Sequence, residues 1–130
     1  MAVIPFERRI CRRFAVPGAS VTYQIRRFVL GETDASGEAR PVLALSKGGL
    51  GFLTNSQLAP GQKLSMRLAF KDNEESIPLE GAVIYCVPHA GISYRYHAGV
   101  VFAPFAPGKG YNSIEALQKL RRLEEVYATP

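Results

Sequence analysis

Residues Lys63–Lys71 alternate without interruption, with Leu64, Met66, Leu68 and Phe70 on one side and Lys63, Ser65, Arg67 and Lys71 on the other. A period of two buries one set and leaves the other in water, which is the pattern of a half-buried β-strand. Ser20–Val29 starts the same way, Val21, Tyr23 and Ile25 opposing Thr22, Gln24 and Arg26. Pro41–Ser46, Leu50–Thr54, Ile77–Val87 and Ile92–Phe102 read as further strands. Turn signals separate them: Val16-Pro17-Gly18, Ala59-Pro60-Gly61-Gln62, Asp72–Ser76, Pro88–Gly91, and Lys47-Gly48-Gly49, where a positive φ is expected. Gly31–Arg40 is polar, contains two glycines and shows no periodicity, so a loop or wide turn is expected there. Short strands at near-regular spacing predict a closed or nearly closed antiparallel barrel, because closure removes exposed strand edges.

The period changes near the end of the chain. Ile114, Leu117, Leu120 and Leu123 recur in threes, and Glu115 pairs with Lys119 at i,i+4. Asn112, three residues before Glu115, resembles an N-cap with its capping-box partner. One amphipathic helix over about Ser113–Tyr127 is expected, its apolar stripe covering the barrel.

The 130 residues suffice for a single domain, and 47% apolar against 21% charged residues is a globular balance. The formal charge is +5. Arg8, Arg9, Arg12 and Arg13 less Glu7 supply +3 of it, so the basic character is concentrated in one run. Guanidinium groups at this density suit a compact anion: each is a planar fork matching phosphate oxygens or the O6/N7 edge of guanine, and its flat face stacks on bases. The opposing reading of the run is a solvated tail.

Other chemistry is missing. Cys11 and Cys86 form no spaced pair, and Cys86 sits in an apolar run as a small core residue. His89 and His97 have no carboxylate or cysteine at ligand spacing, so both are expected to be structural. Ala106-Pro107-Gly108-Lys109-Gly110 lacks the preceding glycine and following Ser/Thr of a phosphate-cradling loop. Gly48-Gly49-Leu50-Gly51 is no dinucleotide fingerprint, and no serine has an evident base. The expectation is a binding protein without catalysis, metal or cofactor. No apolar run reaches bilayer length and the start lacks a secretory signal, so a soluble cytoplasmic protein is expected.

Two segments then stand out together: Arg8-Arg9-Ile10-Cys11-Arg12-Arg13-Phe14, containing Arg-x-x-x-Arg, and Leu45-Ser46-Lys47-Gly48-Gly49-Leu50-Gly51-Phe52. In this order, on a pattern of strands, they resemble the PilZ family, marked by an N-terminal Arg-x-x-x-Arg and an (Asp/Asn)-x-Ser-x-x-Gly on the barrel. Pro60-Gly61-Gln62, Gly81–Tyr85 and Ala98–Phe102 continue the similarity, which runs from about Phe6 to Phe105. The resemblance implies an all-β fold, a six-stranded antiparallel barrel with a C-terminal helix. It divides the chain into an arm (1–19), a barrel (20–105) and a helix (111–127).

It also implies a bacterial second-messenger receptor for cyclic di-GMP. Carried over by position, Arg9 and Arg13 fit the arginine pair best because Phe14 follows as the apolar anchor, with Arg8 and Arg12 at the same spacing one residue earlier. Ser46 would bond a phosphate or nearby backbone, and Gly49 would bend the strand turn toward the ligand. One position departs from the pattern: Ala44 stands where the family has Asp or Asn and offers no side-chain hydrogen bond to a guanine edge. A polar base contact contributes about 1–3 kcal/mol, so its loss weakens binding roughly ten- to a hundredfold.

Three functions follow. In the first, the arm closes over the barrel on cyclic di-GMP and alters a surface for a downstream protein, such as a motility or secretion component. In the second, a ligand-blind adaptor keeps the barrel and acts through protein contacts, which Ala44 favours. In the third, Tyr94 and Tyr96 stack bases of a nucleic-acid polymer; their shared face with Ile92, Ala98, Val100 and Phe102 argues instead for core.

Overall fold

A computed structural model describes residues 12–26, 33–71 and 73–128. Six strands, β1 (Ser20–Arg26), β2 (Thr33–Leu45), β3 (Gly49–Thr54), β4 (Lys63–Phe70), β5 (Asn73–Pro88) and β6 (Tyr96–Phe102), precede one helix, α1 (Ile114–Tyr127). They close into a barrel in the order β1-β2-β3-β6-β5-β4, and every pairing is antiparallel. The alternating positions fill its interior. Val21, Tyr23 and Ile25 from β1 meet Leu64, Met66 and Leu68 from β4, with Phe52, Leu79, Val83, Ala98 and Val100 completing a continuous core. Each large aliphatic side chain so buried contributes about 1.5–3 kcal/mol relative to exposure.

Two turns follow the expected chemistry. Gly18 and Gly61 have φ of 79° and 89°, and the turns close with Ala19 N donating to Val16 O at 3.1 Å and Gln62 N donating to Ala59 O at 3.0 Å. Proline presets the dihedral before each glycine.

Four expectations are corrected. Thr33–Arg40 is not a loop: β2 starts at Thr33 and pairs Thr33–Ser36 with Tyr23–Arg26. The segment is polar in sequence, so no apolar alternation marks it. The Asp72–Ser76 turn is shorter than expected, because Phe70 already faces Asn73 across a two-residue connection. Ile92 is no strand residue: β6 begins at Tyr96 opposite Thr54, the last residue of β3, which leaves residues 91–95 without a strand to pair with. Ile92 is fully exposed, and Tyr94 and Tyr96 are only partly buried, so the inward face of β6 is Ala98, Val100 and Phe102. Gly48 and Gly49 do not have positive φ.

The helix is seated as its apolar stripe requires. Ala116, Leu117 and Leu120 are buried, and Ile114 and Leu123 pack against the core from its margin. Its N-cap is Ser113, whose Oγ accepts from Ala116 N at 3.0 Å, rather than Asn112. Asn112 has a longer-range task. Its Oδ1 accepts from Glu80 N at 2.7 Å, and its Nδ2 donates to Glu80 O and Ala103 O, both at 2.9 Å, from a position only 3% exposed. These bonds fasten the segment before α1 to β5. Asn112→Ala takes the side-chain partner from Glu80 N and Ala103 O, whereas Glu80 O keeps its bond from Ala103 N at 2.8 Å; an unsatisfied buried polar group costs about 1–3 kcal/mol. The expected result is a fall of about 3 kcal/mol in unfolding free energy, read as a lower urea midpoint at constant slope.

Candidate functional site

The site begins where the arm joins the barrel. Phe14 forms an isolated antiparallel bridge with Leu45: Phe14 N donates to Leu45 O at 2.9 Å, and Leu45 N donates to Phe14 O at 2.8 Å. The Phe14 ring is buried, 6% exposed, within the hydrophobic core. Side chains alternate along extended backbone, so an inward Phe14 sends Arg13 outward. Arg12 and Arg13 are both exposed, and Arg13 lines a depression of about 110 Å³ on the barrel's outer surface. Arg8 and Arg9 lie outside the described residues.

The second wall is the turn between β2 and β3. Ser46 Oγ accepts hydrogen bonds from Gly48 N and Gly49 N, each at 3.1 Å, and lies 3.3 Å from Gly49 O as a donor. Ser46 N donates to Gly49 O at 2.9 Å. The serine hydroxyl thus organises the turn, leaving one face of it toward the depression that Ser46, Gly49 and Arg13 share. Gly49 is required by proximity: a Cβ there would sit 2.2 Å from Val100 O. Lys47, at the same turn, reaches Glu124 of α1 at 3.5 Å.

The floor was not recognised in the sequence. Ala44 pairs with Gly51 on β3, Gly51 with Gly99 on β6, and Gly99 with Tyr85 on β5. Three of these four positions carry at most a methyl group, so a shallow trough runs across four strands. Two aromatic rings lie in it. The Tyr85 ring covers Gly99, where a Cβ would come within 2.1 Å of it, and His97 Nε2 covers Gly51 at 2.9 Å from an equivalent Cβ. The rings meet edge to face at 5.4 Å and 87°, with Tyr85 Oη 3.4 Å from His97 Nε2. Glycine within a strand marks such close approach, and Gly51 and Gly99 were the signals available.

His97 titrates below its ordinary value of 6.5, first because burial desolvates the cation and second because His89 stands near it. The imidazole is therefore neutral at pH 7. Among the described residues, no group of His, Cys, Asp or Glu is arranged to hold a metal ion, and no helix is long and apolar enough to cross a membrane.

The arrangement combines a guanidinium, a turn closed by the Ser46 hydroxyl, and two flat rings over a glycine floor. Comparison with known proteins agrees with this architecture. The PilZ domain family model matches residues 7–118. Among solved structures, the Bacillus subtilis inhibitor of motility, MotI/DgrA, superposes with a TM-score of 0.57 at 17% identity, over 92% of this chain and 53% of that one. The K. pneumonia MrkH–c-di-GMP complex gives a TM-score of 0.63 at 14% identity, over 93% of this chain and 53% of that one. A second MrkH structure, described as a c-di-GMP-dependent transcription regulatory factor, gives 0.56 at 13% identity, over 92% and 50%. At these identities the likeness is one of fold, and the chain spans about half the length of the structures it matches. A search of proteins with curated descriptions finds no match.

Proposed function

The chain belongs to the PilZ domain family, and from that premise we propose that it is a cyclic di-GMP receptor rather than an enzyme. The observation that supports this reading is the Phe14–Leu45 bridge, which sets Arg13 in the same depression as Ser46 and Gly49. Arg13, with Arg9 and with Arg8 and Arg12 beside them, clamps the two phosphates and stacks on the guanines; charge-assisted bonds of this kind are about twice as strong as neutral ones. Ser46 bonds a phosphate or holds the backbone of the turn that meets it, and Gly49 keeps the corner low enough for contact. The MrkH complex, whose fold this chain shares, contains the same dinucleotide.

Closing of the arm then changes the surface around the β2–β3 turn for a downstream protein, such as a motility or secretion component, in the cytoplasm. Lys47 ties that turn to Glu124, which gives the change a route to α1. Ala44 favours a second reading, a ligand-blind adaptor acting through protein contacts alone. Calorimetric titration of the full chain with cyclic di-GMP at moderate salt separates them. One saturable isotherm is expected; the absence of binding heat up to millimolar ligand overturns the receptor reading and leaves the adaptor.

A further inference from the structure

We propose that His97 reads the guanine edge in place of the side chain that Ala44 lacks, with Tyr85 holding its imidazole in position. This inference rests on the cyclic di-GMP reading above. The strand register supports it. Ala44 and Gly51 are directly opposed on β2 and β3, and Cβ positions so paired lie about 4.5–5.5 Å apart on the same face. His97 belongs to β6, opposite Leu53, yet its Nε2 reaches 2.9 Å from the point where the Gly51 Cβ would be. The imidazole thus occupies the space beside Ala44, into which an Asp or Asn at that position would extend.

The surrounding residues make this seat. Any side chain at position 51 would displace the imidazole, and glycine within a strand costs about 0.5–1 kcal/mol relative to alanine. Gly99 does the same for Tyr85, whose ring lies on its Cα face and meets His97 edge on. Tyr85 Oη at 3.4 Å from Nε2 restricts rotation of the imidazole. A neutral imidazole offers one N–H donor and one acceptor nitrogen. With Nε2 turned to Tyr85 and Gly51, Nδ1 is the ring nitrogen left for guanine, which offers acceptors at O6 and N7 and N–H donors on its pairing edge to match either tautomer. The phosphates are left to Arg13, which enters the same depression from the arm. The alternative is that His97 merely fills the hollow over Gly51.

Titration calorimetry with cyclic di-GMP on the wild type, His97→Ala, His97→Gln and the double variant Ala44→Asn/His97→Ala decides between the two. His97→Ala is expected to weaken binding ten- to a hundredfold, the range of one polar base contact. His97→Gln, which restores an amide donor and acceptor, and Ala44→Asn in the His97→Ala background are each expected to recover most of that loss. Thermal melts accompany each titration, so that a variant that fails to fold is scored by the remaining ones. A loss under threefold, or one that neither compensating variant relieves, overturns the role of His97 while leaving the receptor reading intact. Absence of binding by the wild type overturns both.

Discussion

Replacing Gly49 by alanine is expected to lower the melting temperature by roughly 10 °C, whereas the same change at Gly99 leaves the fold in place. The two glycines sit over different neighbours. A Cβ at Gly49 would lie 2.2 Å from Val100 O and 3.4 Å from Val101 Cα, both backbone atoms of β6. Backbone cannot rotate aside, so β3 and β6 must separate where Gly49 pairs with Val101. The displacement also pulls on the Ser46 turn, because Gly49 N donates to Ser46 Oγ and Gly49 O accepts from Ser46 N. Overpacking of this kind costs about 1–3 kcal/mol, and here a hydrogen-bonded turn is lost with it. A loss of about 3 kcal/mol corresponds to that shift in melting temperature for a domain of this size. A Cβ at Gly99 meets the Tyr85 ring at 2.1 Å, and a side chain near the surface can swing away. Gly99→Ala should therefore fold but lose the edge-on contact between Tyr85 and His97. Paired melting curves check this, and equal shifts for the two variants would contradict it.

The barrel was legible in the sequence wherever one face of a strand is buried and the other wet. Leu64, Met66 and Leu68 against Lys63, Ser65 and Arg67 specify both the strand and its inward face, and Val21, Tyr23 and Ile25 do so for β1. Thr33–Arg40 gave no such sign because its residues are polar in sequence, although a backbone ladder pairs it with β1. Ile92 misled for the opposite reason. Its phase matches β6, but β3 ends at Thr54, and Asn55 holds the intervening segment through Ser93 O at 3.4 Å and Arg95 N at 3.0 Å. Local pattern states a preference, and the available partner decides whether a strand forms.

The site was legible only in its sequence-local parts. Ser46 and Gly49 belong to one turn, so their spacing expresses their contact. The row from Ala44 through Gly51 and Gly99 to Tyr85 crosses four strands and depends on two irregularities, one between Val42 and Ala44 and one between Val83 and Tyr85. A shift of one residue exchanges the faces of a strand, so no linear reading places Tyr85 and His97 beside Ala44. Asn112 escaped similarly, since a capping pattern and a bond to distant Glu80 begin with the same residue type.

The largest expected effect on binding comes from the arm. In the proposed receptor, removing Arg9 and Arg13 together deletes two charged contacts to phosphate, each worth about 1.5–3 kcal/mol, so affinity for cyclic di-GMP should fall by more than a hundredfold. The fold should be unaffected: Arg13 is exposed, and the bonds that attach the arm at Phe14 run between backbone atoms. In the proposed receptor the arm and the serine–glycine corner grip one ligand between them. Calorimetric titration of cyclic di-GMP into the wild type and into Arg9→Ala/Arg13→Ala tests that directly. Saturable heat in the wild type and none at the same ligand concentrations in the variant is the predicted result; undiminished affinity in the variant would contradict it.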